Sequence, residues 1–223
     1  VSAPAIREFW EQLAADEAQD LTTAGRRRDF RRGSVLFRES ERSDWVMVLR
    51  SGRVKVSVDT ANGTEVVLAV RGPGALLGEF SAIDRQPRSA TVTAIEPVSA
   101  LALTLDEFEA FLRGHGRVAV LLMRTLVGKL RDADRKRIEF GAFDTTGRVA
   151  ARLVEMAERF GQPSPEGVKI ALPFSQDELA GWIGSSREAV SKALGTLRSA
   201  GAIRTSRMSV VVRDIDALRR RST

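Results

Sequence analysis

Between Phe30 and Leu105 apolar residues recur with a period of two. From about Gly116 to Phe140 they recur at spacings of three and four, with no Gly or Pro cluster inside that stretch. A period of two marks half-buried strands, and a period near 3.6 marks one face of a helix. The first stretch breaks into short runs around Val35, Trp45, Val54, Glu65, Ala90 and Ser99, each bounded by Gly, Pro, Asn or Asp. Many short strands at that spacing imply an all-β sandwich or barrel. Asn62-Gly63 between two runs predicts a type I′ hairpin. Short helices are expected from Val1 to about Arg28, and over 5–15 Ile6, Phe9, Trp10 and Leu13 share one helical face.

The later helix would be roughly 36 Å long at 1.5 Å per residue. Ala119, Leu122, Leu126, Leu130 and Ala133 form its apolar stripe. That stripe is expected to be a dimer seam, as in a coiled coil, weakening where charge crowds Arg131–Arg137. Asp144-Thr-Thr-Gly147 reads as the turn into a last domain of helices, a strand over 168–172 and a hairpin near 203–212. The expected division is 1–116, 117–143 and 144–223. The chain carries 35 Lys+Arg against 29 Asp+Glu. Residues 147–223 hold 13 and 8 of these, a surplus of +5, against 22 and 21 in 1–146. A basic surplus confined to one segment is the electrostatic footprint of a nucleic-acid-binding module.

Two stretches carry chemistry. Gly78 to Thr91 lies between strand patterns. Gly78 suits a close approach of backbone to ligand, and a helical turn after it would offer N–H groups to an anion. Arg88 can pair bidentately with a phosphate, and Glu79 can accept from a ribose hydroxyl. One arginine and one carboxylate suit a cyclic nucleotide; no Gly-x-x-x-x-Gly-Lys for a triphosphate is present. An ion pair between Glu79 and Arg88 is the plainer alternative. In the second stretch Ser175 can cap a helix with Glu178 three residues on. Gly184 makes a turn, and Ser186 caps a second helix over 187–200. Arg187, Glu188, Ser191 and Lys192 are exposed near its start. Arg187 can read guanine and Glu188 can accept from cytosine in a major groove. Arg204 and Arg207 at a hairpin tip suit phosphates. His115 is expected in a solvated loop, and Trp10, Trp45 and Trp182 in the core.

Gly78-Glu79 followed nine residues on by Arg88-Ser-Ala resembles the phosphate-binding cassette of cyclic-nucleotide-binding domains. Asp144-Thr-Thr-Gly-Arg-Val-Ala150, Ser175-Gln-Asp-Glu-Leu-Ala180 and Ile183-Gly-Ser-Ser-Arg-Glu-Ala-Val-Ser-Lys192 resemble, in that order, the cyclic-AMP receptor protein/FNR family of bacterial regulators. The resemblance covers about 10–213. It implies an α+β fold: an N-terminal β jelly-roll cyclic-nucleotide-binding domain, a long dimerisation helix and a C-terminal winged helix-turn-helix. It implies a ligand site of Gly78, Glu79, Phe80, Arg88 and Ser89, with Lys129 and Asp134 on the purine side. There the hydroxyl or amide pair of the cyclic-AMP-responsive members is replaced by Ala133 and Asp134. It also implies DNA contacts by Ser175, Gln176, Ser186, Arg187, Glu188, Ser191, Lys192, Arg204 and Arg207. The expected effector is cyclic AMP. The expected partners are a second copy of the chain, a palindromic TGTGA-like duplex and RNA polymerase.

Absent residue types narrow the chemistry. With no Cys, disulfides, thiolate zinc and Cys-held iron–sulfur clusters are excluded. A single His argues against a His triad or a multi-His metal site, so neither an enzyme nor a metal is expected. Val1–Asp20 lacks a signal-peptide pattern and no apolar run approaches a membrane span, so a cytoplasmic protein is expected. A DNA-binding regulator whose β domain is only a dimer scaffold, with a degenerate or non-cyclic-AMP pocket, is the alternative.

Overall fold

The computed structural model describes residues 8–42, 44–171, 176–206 and 208–222, with Gln176 as backbone only. It divides into two compact units at Arg131/Asp132. The first is a β roll. Strands β1 (Arg26–Phe30), β2 (Val35–Phe37), β3 (Trp45–Ser51), β4 (Val54–Asp59), β5 (Glu65–Arg71), β6 (Leu76–Leu77), β7 (Thr91–Ala94) and β8 (Val98–Thr104) form two antiparallel sheets. Their orders are β1-β8-β3-β6 and β2-β7-β4-β5. Four helices accompany them: α1 (Ala15–Ala24), α2 (Glu79–Asp84), α3 (Leu105–Gly114) and α4 (Gly116–Ala142).

Strand β3 shows why this sequence makes a roll. Met47 and Leu49 point into the space between the sheets, with Val54, Leu77, Val92, Ala100 and Ala102. Val46 and Val48 point the other way, into a second core with Leu101, Leu103, Phe108, Val118, Leu121 and Leu122. A strand buried on both faces needs a partner layer on each side. The facing sheet is one layer, and the helices are the other. Full burial of each such side chain contributes about 1.5–3 kcal/mol.

Two expectations are corrected here. The stripe on α4 is divided. Leu122 is buried and Leu126 packs against the same core, so these residues belong to the roll itself. Over 118–130 the exposed large apolar side chains are Val120, Met123, Val127 and Leu130. The β4–β5 connection is not type I′. Thr60 N–H donates to Thr64 O at 3.0 Å and Gly63 N–H to Thr60 O at 2.8 Å. Only Gly63, at φ +74°, takes the left-handed conformation that type I′ would also demand of Asn62. Among the described residues before Arg28, the short helices expected there are a 3-10 turn at Trp10–Gln12 and α1. The Glu17 carboxylate accepts from Ala14 N–H at 2.7 Å and so starts α1 there.

His115 is no solvated loop residue. It ends α3, with Nδ1 3.0 Å from Phe111 O and Nε2 3.1 Å from Asp20. Trp182 is buried as expected. Trp10 and Trp45 are only half-buried and lie under the guanidinium groups of Arg50 and Arg28.

The second unit is a winged helical domain. Helices α5 (Thr145–Phe160), α6 (Gln176–Ile183), α7 (Arg187–Ser199) and α8 (Ile215–Arg221) join strands β9 (Gln162–Ser164), β10 (Gly167–Ala171), β11 (Ile203–Ser206) and β12 (Ser209–Val212). The sheet order is β11-β12-β10-β9. Val149, Leu153 and Met156 of α5 are buried, as are Val190, Ala193 and Leu197 of α7 and Ile203, Val210 and Val212 of the sheet. Asp144 caps α5 by accepting from Gly147 N–H at 2.7 Å. No helix among the described residues is long and apolar enough to cross a membrane.

Candidate effector pocket and DNA-reading surface

Gly78 takes a left-handed backbone at φ +83° and begins α2. A Cβ built there would lie 2.5 Å from Arg88 Nη1 and 3.1 Å from Trp45 O. Only glycine fits both the angle and the space. The Arg88 backbone is tied to the 40–41 loop: its N–H donates to Glu41 O, and Ser40 N–H donates to its carbonyl. Its buried guanidinium donates to Gly78 O at 2.9 Å and to Trp45 O, and lies 4.0 Å over the Phe37 ring. Burial pulls its pKa below the usual arginine value, and the charges of Glu79 and Asp44 push back. A buried cation in that state gains from an anion brought beside it.

Arg88 feels the charge of Glu79, while the close ion-pair partner of Glu79 is Lys129. Glu79, also buried, accepts from Lys129 Nζ at 2.6 Å, and the same ammonium donates to Leu76 O at 3.2 Å. Burial lowers the Lys129 pKa and the Glu79 carboxylate opposes that shift. The structure therefore brings together Gly78, Glu79, Arg88 and Lys129. Phe80 is exposed beside them, with its ring centre 5.9 Å from Lys129 Nζ. Ser89 is exposed. Asp134 is exposed on the stretch of α4 that belongs to the second unit. The residues present fit a cyclic phosphate and a sugar hydroxyl, given an anchored guanidinium, a cradle without Cβ and a buried carboxylate.

In the second unit Ser186 caps α7 by accepting from Ala189 N–H at 3.2 Å. Gly184 turns the chain between α6 and α7 at φ +66°, where a Cβ would collide with the Phe140 ring. Arg187, Glu188, Ser191 and Lys192 are all exposed in the first two turns of α7. Val190, Ala193 and Leu197 fill its inner side. The Glu188 carboxylate lies below the ordinary range through backbone and Ser186 hydrogen bonds at the helix start, so it is an acceptor near neutral pH. Arg204 is exposed on β11, but its guanidinium donates to Glu166 at 2.5 Å instead of standing clear for a phosphate. Ser175 and Arg207 lie outside the described residues, and Gln176 is described as backbone only.

A cyclic nucleotide-binding domain family matches residues 27–115, and a Crp-like helix-turn-helix domain family matches 147–221. The CRP-like cAMP-activated global transcriptional regulator of Mycobacterium tuberculosis is 32% identical over 194 residues, covering 87% of each chain. The chain belongs to the CRP/FNR family of transcriptional regulators. The cyclic AMP receptor protein of Thermus thermophilus is 30% identical, covering 91% of this chain and 90% of its own. Among solved structures FixK2 of Bradyrhizobium japonicum shares the fold at a TM-score of 0.80 and 23% identity, covering 89% of this chain and 98% of its own.

Family membership accords with the jelly-roll, long-helix and winged helix-turn-helix plan. Two features of this member were not drawn from the sequence. The exposed row Val120, Met123, Val127, Leu130 has spacings of 3, 4 and 3. The signal was there: α4 is apolar on two sides over 118–130, which implies two contacts instead of one. The carboxylate of Glu166 lies between two arginines, Arg204 and Arg213, that are 38 and 47 positions away in the chain. Pairings that distant leave no local pattern.

Proposed function

We propose that this regulator is a homodimer whose binding to a palindromic, TGTGA-like duplex is gated by a cyclic nucleotide, cyclic AMP first. The observation that carries the reading is the buried Arg88 guanidinium across from left-handed Gly78, with buried Glu79 next in sequence. The two named relatives are described as cAMP-activated and as a cyclic AMP receptor, which supports the same effector. In this reading Gly78, Glu79, Phe80, Arg88, Ser89, Lys129 and Asp134 serve the ligand. Ser175, Gln176, Ser186, Arg187, Glu188, Ser191, Lys192, Arg204 and Arg207 serve DNA. The domains run 1–116, 117–143 and 144–223. The chain works in the cytoplasm with RNA polymerase as a partner, and it catalyses no reaction.

The chemistry follows from the residues. Arg88 supplies a fixed positive charge to the cyclic phosphate, and the carbonyls of Gly78 and Trp45 hold it in place beforehand. Glu79 accepts from the ribose hydroxyl while the hydrogen bond from Lys129 holds its carboxylate in position. Because Lys129 is on α4, ligand at Glu79 bears on the helix that carries the exposed seam. A second reading has one observation in its favour. Arg88 and Glu79 already have partners within the protein, so the roll can stand without ligand and act as a scaffold. Calorimetric titration with cyclic AMP and cyclic GMP separates the two. Saturable heat that Arg88→Ala abolishes supports gating, and no heat with either nucleotide leaves the scaffold.

A further inference from the structure

Among the described residues the outer face of the wing sheet is basic, with the Glu166 carboxylate at its edge. Arg204, Val211 and Lys169 stand directly opposite one another across β11, β12 and β10, so their side chains share a face. The neighbouring row of Thr205, Val210 and Ile170 faces inward, with Val210 and Ile170 buried. Arg204 and Lys169 are exposed, as is Arg213 just past β12. Glu166, at the β9–β10 turn, accepts from Arg204 Nη1 at 2.5 Å through one oxygen and from Arg213 Nη2 at 2.9 Å through the other. These two bonds hold its carboxyl below the usual range, Arg213 contributing most. Both bonds favour the charged form of Glu166.

We infer that Glu166 is a built-in competitor of DNA phosphate: its carboxylate occupies the two arginines that the wing would otherwise present to the duplex backbone. This rests on the DNA-binding reading above and adds a residue that restrains affinity. The physical case is a balance between like acceptors. A carboxylate and a phosphate each take a guanidinium by two N–H groups. Here one carboxylate satisfies two guanidinium groups at once, and all three side chains are exposed enough to exchange partners. Exposed ion pairs are weak, so phosphate can displace Glu166, but only at a cost in affinity. Each phosphate engaged also releases counterions, so the clamp reduces the salt dependence of binding as well.

The test is a double-mutant cycle on the full-length protein, with a TGTGA-palindrome duplex and a random-sequence duplex as probes, at several salt concentrations. Glu166→Gln keeps the shape and removes the charge. It is expected to tighten binding to both duplexes by about two- to fivefold per wing, the range for releasing an exposed pair. It should also steepen the slope of log K on log salt by about 0.9 for each phosphate gained. In an Arg204→Ala, Arg213→Ala background the same substitution should do almost nothing. Unchanged or weaker binding by Glu166→Gln overturns the inference. So does an equal gain in the double-alanine background, which would make Glu166 a diffuse charge. Arg187→Ala is run alongside. If it relaxes base preference while Glu166→Gln has no effect, only the clamp fails. If the wild-type chain binds neither duplex, the DNA-binding reading fails with it.

Discussion

Arg88 stakes most on a single side chain. Its guanidinium is buried on carbonyl groups and a ring face, and burial depresses its pKa. Arg88→Ala should weaken cyclic-nucleotide binding by about 2–5 kcal/mol, the range for removing one partner of a buried charge pair. Calorimetry checks this, and an unchanged Kd would place the ligand elsewhere. Arg187 is the matching residue in the proposed DNA reading: exposed, in the first turn of α7, with Ser186 fixing the helix start. Arg187→Ala should cost about 1–3 kcal/mol at its own base pair and relax preference there. Selection from random duplexes reads that directly. The local setting of each was legible in the sequence, a glycine-led turn for one and a serine cap for the other. The Lys129–Glu79 pair was not legible as a pair, because its partners are 50 positions apart. The family resemblance implies Lys129 on the purine side, and the structure adds its bond to the Glu79 carboxylate.

At the scale of elements, α4 carries two apolar faces with different tasks. Leu122 and Leu126 secure the helix to the roll, and Val120, Met123, Val127 and Leu130 are left outward. A reading by periodicity finds the helix and its ends to within a few residues. It cannot choose between the two faces, because both satisfy spacings of three and four. Val127→Asp should therefore convert a dimer to a folded monomer, while Leu126→Asp should chiefly destabilise the roll. Light scattering and thermal unfolding of the two variants separate these effects; a dimeric Val127→Asp would remove the seam from this face. The start of α1 is bound to α4 by Glu17, which pairs with Arg117 and caps Ala14. Its hydrogen bond to Arg117 is the chief cause of a folded-state pKa below the ordinary glutamate value. A depressed carboxylate pKa adds stability above the unfolded value, and that stability is lost as pH falls through the folded one. Glu17→Gln should thus lower Tm at pH 7 and narrow the gap to wild type in acid below the folded pKa. Equal Tm differences at both pH values would count against the pair.

For the molecule as a whole, α4 is the one described element whose residues belong to both compact units, Gly116–Arg131 to the roll and Asp132–Ala142 to the winged unit. A ligand that contacts Glu79 and Lys129 acts on the first part of that helix, and DNA acts on the winged unit beyond the second. Gating requires that the effector bind two states of the protein with different affinity; tight but equal binding would shift nothing. Linkage then sets a quantitative demand. If cyclic AMP raises affinity for the duplex by some factor, the duplex must raise affinity for cyclic AMP by the same factor. Couplings of this kind usually amount to about 5–150-fold, or 1–3 kcal/mol. The expected outcome is a cyclic-AMP Kd that falls within that range when a saturating TGTGA-palindrome duplex is present. The fall should equal the gain in DNA affinity measured with saturating cyclic AMP. The random-sequence duplex should give a smaller, salt-sensitive change, since backbone contacts dominate there. A scaffold roll predicts a factor of one in both directions. Equal Kd values with and without duplex, from a protein that binds both ligands, would show that the roll and the reading helix work independently despite sharing α4.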